Sequence, residues 1–263
     1  TPRELITFLD TNTHWPHHEK LCRNAEDVIS TKASPQDMLA WFNKYPPQTP
    51  EGVMHYAKTL LSHKQNQKAA QVVQKAWASL SLSKDQEKKF LAQFGHLLQS
   101  THHLARLDFL LQEEEVGDAK RLLPRLSSGH QKIAHVRMAF LASKSDALQQ
   151  MQALAPQLQK NEGLLYEKTK WHRKRGEFKD AQKILVSASI GTDHAQKWWK
   201  EQNYIARELM TLRDFHAAYK VAQNHNLEGK TQEFADAEWF SGWLALQFLE
   251  KPDAALKHFK TLL

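Results

Sequence analysis

Three stretches of this 263-residue sequence can be laid over one another without a gap: Gly176-Glu-Phe-Lys-Asp-Ala181, Arg213-Asp-Phe-His-Ala-Ala218 and Glu250-Lys-Pro-Asp-Ala-Ala255. Each reads as a turn followed by the start of a helix, and their closing alanines stand 37 residues apart. Ala147 lies 34 residues before Ala181, and Ala119 lies 28 before that. A small residue near the start of the second helix of a hairpin lets two helices approach where a larger side chain would hold them apart. Periods of this length mark arrays of tetratricopeptide-like hairpins, none of which can bury both of its faces alone. The expected fold is therefore all-α: stacked helical hairpins forming a curved superhelix, a single solenoid domain over residues 1–263.

Local signals agree. Pro16 is expected to open a helix through Leu21, Ala25 and Val28. Ser34-Pro35-Gln36-Asp37 offers an N-cap, a first-turn proline and an acid at N3, and Tyr45-Pro46-Pro47 stops that helix. Thr49-Pro50-Glu51 starts the next, with Val53, Tyr56, Ala57, Leu60 and Leu61 on one stripe. Ser83 and Gln86 form a capping box ahead of Phe90, Phe94, Leu97 and Leu98. Near the end, Trp239, Trp243 and Leu246 lie on one side of a helix, with Phe240, Leu244 and Phe248 on another. Such a helix is expected to be buried between neighbours. Pro252 begins its partner, with Ala255, Leu256, Phe259, Leu262 and Leu263 inward and Lys257, His258 and Lys260 outward. No alternating strand pattern occurs. An array normally ends in a polar cap; Lys260-Thr-Leu-Leu263 is apolar, and residue 1 is Thr rather than Met, so a trimmed chain is expected.

Composition narrows the function classes. No apolar run is long enough to span a bilayer. Cys22 is the only cysteine, which forbids an internal disulfide and leaves the compartment open. The net charge of +7 suits either an anionic partner or solubility alone.

Little in the chain looks catalytic. His14, His17 and His18 are interrupted by Pro16 and have no partner ligands at metal spacing, so solvated positions at a helix start explain them. His102 and His103 are adjacent and face different ways. Cys22 reads as a structural thiol, and Glu113-Glu114-Glu115 as a solvated face. There is no phosphate-cradling glycine loop and no nucleophile elbow. One charged stretch stands out: Lys168, Lys170, Arg173, Lys174, Arg175, Lys179 and Lys183 against Glu167, Glu177 and Asp180, with Trp171 inside it. Such a hairpin could hold an anionic sugar–peptide polymer or nucleic acid through Lys168, Lys170, Trp171, Arg173, Lys174 and Arg175. A solvated face with Trp171 turned into the array is the competing reading. Trp198, Trp199, Trp239 and Trp243 are expected as core anchors.

A longer series of residues carries a family likeness. It runs Trp198-Trp-Lys-Glu-Gln-Asn-Tyr-Ile-Ala-Arg207, Asp214-Phe-His-Ala-Ala-Tyr219, Asn224-His225, Ala235-Asp-Ala-Glu-Trp239, Gly242-Trp243, Phe248-Leu249, Pro252, Ala255-Leu256 and His258-Phe259. Looser matches precede it: His14 to Leu21, Ala40-Trp-Phe42, Pro46 to Gly52, Ala105-Arg-Leu-Asp108, and Trp171 with Arg173 to Gly176. In that order they resemble the superhelical region of soluble lytic murein transglycosylases. The resemblance implies a curved stack of hairpins in the bacterial periplasm, followed in the family by a lysozyme-like domain beyond residue 263. There a single glutamate cleaves the glycan strand of peptidoglycan and leaves a 1,6-anhydro end, unlike the usual two-carboxylate plan. The family's Glu-Ser, Gly-Leu-Met-Gln and Ala-Tyr-Asn motifs are absent; Gly163-Leu164-Leu165 and Ala218-Tyr219-Lys220 do not match them. No catalytic residue, metal or cofactor is carried over. The implied partners are peptidoglycan and the chain's own catalytic domain. The alternative is a free-standing tetratricopeptide-like adaptor holding a partner protein in its groove; nucleic acid is disfavoured, since no reading module is present.

Overall fold

In the computed structural model, the described residues are 1–229 and 231–262, with only the backbone of Asp193. Among them are sixteen α-helices, four short 3-10 turns and no strand. Successive helices pack on one another, in two compact units, Thr1–Ser127 and Ser128–Leu263. No described helix is long and apolar enough to cross a membrane.

The first unit holds α1 (Pro2–Thr11), α2 (His18–Lys32), α3 (Pro35–Lys44), α4 (Pro50–Ser62), α5 (Asn66–Ser79), α6 (Lys84–Phe94), α7 (Ser100–Gln112) and α8 (Val116–Leu122). The starts of α3, α4 and α6 form as their sequences dictate. Ser34, Thr49 and Ser83 each accept a hydrogen bond from the backbone N–H three residues on. The start of α2 differs from expectation. It opens at His18, not Pro16, because His17 takes a left-handed conformation (φ 59°) while Trp15 packs edge-on against Phe8. Ile29, Trp41, Phe42, Tyr56 and Leu60 form one buried cluster of this unit. Elsewhere in the unit the Arg106 guanidinium lies over the Trp77 ring at 4.2 Å and donates to the Trp77 and Leu80 carbonyls.

The second unit holds α9 (Ser128–Leu141), α10 (Ala147–Gln152), α11 (Glu162–Lys174), α12 (Phe178–Ser187), α13 (Ala195–Thr211), α14 (Phe215–Ala222), α15 (Gln232–Gln247) and α16 (Pro252–Lys260). The aligned alanines behave as their spacing requires. Ala119, Ala147, Ala181 and Ala218 are wholly buried and Ala255 nearly so, each in the first turn or so of the hairpin's second helix. A backbone feature accompanies them. Five residues before Ala119, Ala181, Ala218 and Ala255 stand Glu114, Gly176, Arg213 and Glu250, all left-handed. The next N–H then reaches back over the end of the first helix, as in Glu115 to the Leu110 carbonyl (2.8 Å) and Asp214 to that of Leu209 (2.9 Å). This is the hydrogen-bonded stop that a left-handed residue makes possible. The same turn occurs at Lys64, five residues before the fully buried Ala69. Ser143 makes a shorter version before Ala147.

The last hairpin departs from expectation on one side. Phe240 and Leu244 are buried, but Trp239, Leu246 and Leu256 are each about half exposed, and Trp239 stacks on Trp243 instead of entering the core. A neighbouring hairpin covers only one face of α15. His258 also differs: it turns inward to a carboxylate rather than outward with Lys257. Leu263, expected on the inner face of α16, lies outside the described residues.

Candidate functional site

The basic stretch becomes the hairpin of α11 and α12. Asn161 caps α11, accepting from the Leu164 N–H (3.0 Å), and Gly176 at φ 72° turns the chain so that the end of α11 faces the start of α12. Trp171 is buried, packing edge-on against Phe140 of α9. That inward placement is the one expected of a core tryptophan. Arg175 folds back over the Trp171 ring at 4.5 Å, where cation and π-face attract.

Beside this turn lies a groove of about 620 Å³, lined by Leu148, Lys168, Trp171, Arg175, Asp180 and Lys183 among others. Its volume is within the range of small-ligand sites. The structure therefore brings together three of the six residues expected to bind, Lys168, Trp171 and Arg175. The other three fall elsewhere. Lys170 lies over the Tyr166 ring at 5.7 Å. Lys174 is exposed. Arg173 is committed to Glu201, whose carboxylate it meets at 2.6 Å, and it also covers the Tyr204 ring. Lys179 points away from the groove toward Asp214, 4.0 Å distant.

The groove also contains groups that sequence reasoning passed over. Glu177 accepts from Arg175 Nε (2.8 Å) and pairs with His172 Nδ1 (2.8 Å). Asp180 accepts from Lys183 (2.8 Å). These bonds hold both carboxyls below the ordinary carboxylate range, Glu177 chiefly through Arg175 and Asp180 chiefly through Lys183. His172, Glu177 and Asp180 place one donor atom each within 4.8 Å of one another, a geometry that admits a divalent cation. The charges argue against one. Arg175 and Lys183 already occupy the two carboxylates, and the Lys168 ammonium lines the same groove. A metal would have to displace two cations and sit near a third. The only signal for this trio in the sequence is that all three fall within nine residues spanning one repeat turn.

A second polar cluster lies inside the last two hairpins. Glu238, nearly buried on α15, receives His225 Nε2 (3.1 Å) on one oxygen and His258 Nδ1 (2.6 Å) on the other. Tyr219 lies 3.1 Å from His258 Nε2. His225 Nδ1 accepts from the Leu227 N–H at 3.0 Å. That bond fixes the tautomer, so the neutral ring donates to Glu238 and has no lone pair left for a proton. Burial, more than any other influence, pulls the His225 pKa below its usual value. Burial pushes Glu238 the other way, but the bonds from His258, Thr261 and His225 outweigh it and leave the carboxyl lowered. Four of the residues carrying the family likeness, Tyr219, His225, Glu238 and His258, thus form one internal network. Its atoms are spent on one another, which suits a structural role.

The histidines near the N-terminus do not assemble into a metal site among the described residues. His14 and His17 are exposed, and His18 is 2.9 Å from the Leu9 carbonyl and 3.6 Å from Cys22 Sγ. Burial raises the Cys22 thiol above its usual pKa, so it is not an activated nucleophile. Compared with known proteins, the chain matches no family model, no curated protein and no solved structure.

Proposed function

We propose that this chain is the helical scaffold of a peptidoglycan lytic transglycosylase, a tetratricopeptide-like stack whose work is to orient a catalytic domain and hold glycan–peptide strands. The observation that carries the reading is what the family-like residues do in the fold. Trp198 and Trp199 are buried and donate to Glu162 and Asp236. Ala218 and Ala255 are buried at hairpin turns, Gly242 lies under the Phe259 ring, and Glu238 ties His225 to His258. The residues that carry the resemblance are thus among those that build this stack. In this reading the protein is periplasmic, acts without cofactor or metal, and meets peptidoglycan through the hairpin of α11 and α12.

The free-standing adaptor is the second reading, favoured by the half-exposed Trp239, Leu246 and Leu256 on one side of the last hairpin. Co-sedimentation with purified sacculi separates the two. A peptidoglycan scaffold sediments with sacculi at low salt and is released at high salt, since attraction between exposed charges is screened over roughly 8 Å at physiological ionic strength. Mass spectrometry of the supernatant should show no 1,6-anhydro products from this chain alone. Failure to sediment at any salt concentration overturns the scaffold reading in favour of the adaptor.

A further inference from the structure

We propose that the groove between α11 and α12 is a subsite for a single carboxylate carried on a peptide, with the Lys168 ammonium as its anchor. The inference rests on the peptidoglycan reading and sharpens it from a basic face to one atom. Four cationic or protonatable groups line the groove, and three are taken. Arg175 is held by Glu177 and the Trp171 ring, Lys183 by Asp180, and His172 by Glu177. Lys168 is the fourth. It projects from the middle of α11, is half-buried, and has no hydrogen-bonded or ion-paired acceptor among the described residues. A half-desolvated ammonium without an acceptor is costly, and an arriving anion recovers that cost as binding. The burial that makes it costly also pulls the Lys168 pKa down, with Asp180 opposing that shift.

The surroundings define the ligand class. Glu177 and Asp180 balance Arg175 and Lys183, leaving Lys168 as the uncompensated charge, which a carboxylate matches and a phosphate with two charges exceeds. The apolar wall formed by Leu148, Ile184 and the stem of Lys168 leaves room for a short side chain.

The test uses the whole chain and a soluble tetrapeptide stem from peptidoglycan, titrated by calorimetry at low salt. Its carboxyl-amidated form and inorganic phosphate are the comparison ligands. Lys168→Met keeps the apolar stem and removes the charge, and Lys168→Arg restores a cation; melting curves confirm that both fold. The expected result is a loss of about tenfold or more in affinity for Lys168→Met, with Lys168→Arg close to the parent. Amidation should weaken the parent similarly and leave Lys168→Met unaffected. Unchanged binding by Lys168→Met, or phosphate binding as tight as the peptide, overturns the subsite. If sacculi still sediment with the chain while the stem peptide does not bind, the subsite fails and the scaffold reading stands. If neither binds, both fall.

Discussion

Gly242 is the point where the closeness of a helix pair can be tested by one methyl group. It is buried in the middle of α15, where glycine costs about 1 kcal/mol relative to alanine. A Cβ placed there would lie 2.5 Å from Phe259 Cε1 and 2.9 Å from Cδ1 and Cζ on α16. The shortest of these is about 1 Å inside the separation at which carbons attract. Gly242→Ala must therefore push the half-buried Phe259 ring outward or part the helices. Overpacking of this kind costs roughly 1–3 kcal/mol, and the gain in helix propensity returns about 1 kcal/mol. The expected net loss is roughly 0.5–2 kcal/mol, read from urea melts followed by tryptophan fluorescence. In a Phe259→Ala background the ring is gone and only the propensity gain remains. There Gly242→Ala should stabilise by about 0.5–1 kcal/mol. The same sign in both backgrounds would refute the reasoning, because the coupling between the two residues is what the geometry asserts.

Ala218→Leu, at a wholly buried position on α14, should cost on the order of 1–3 kcal/mol in a thermal or urea melt; no loss would mean the crossing there is loose. Arg173→Glu should destabilise by roughly 2–4 kcal/mol, because it sets a second carboxylate against the nearly buried Glu201. Lys174→Glu on the same helix, being exposed, should stay within about 0.5 kcal/mol of the parent, and similar losses for the two would dismiss the Arg173–Glu201 pair. His225 makes stability acid-sensitive. Its folded pKa is lowered, so its contribution is complete above the ordinary histidine value of about 6.5 and is lost as pH falls through the folded value. Urea midpoints between pH 7.5 and 5 should fall less steeply for His225→Asn than for the parent, and parallel slopes would exclude this role.

The alanine period, the three proline- or serine-marked helix starts and the all-α class are all legible in the sequence. Each is written in residues whose backbone preference is strong. The turns that the alanines follow are not. Four of the left-handed turn positions are Lys64, Glu114, Arg213 and Glu250, where only Gly176 advertises the conformation in its side chain. Their positive φ is imposed by the hydrogen bond back across the helix end and by the packing of the alanine five residues on. The groove was half legible. Lys168, Trp171 and Arg175 were picked out by charge and aromaticity, but which cation is paired depends on where α12 returns beside α11. Arg173 shows the limit most plainly, since its partner Glu201 is 28 positions away. Trp239 shows another, because helical periodicity marks a face as apolar without saying whether a neighbour covers it.

The helices that pack most extensively are sequence neighbours or next neighbours, in both units. Almost every stabilising contact is therefore closed over a few dozen residues, and loop closure demands little entropy. A chain emerging from the ribosome can then complete each hairpin while the next is still being made. The order of synthesis becomes the order of assembly. The same locality governs loss: strain applied at one end should peel hairpins away in succession, leaving the remainder folded, rather than melting a unit at once.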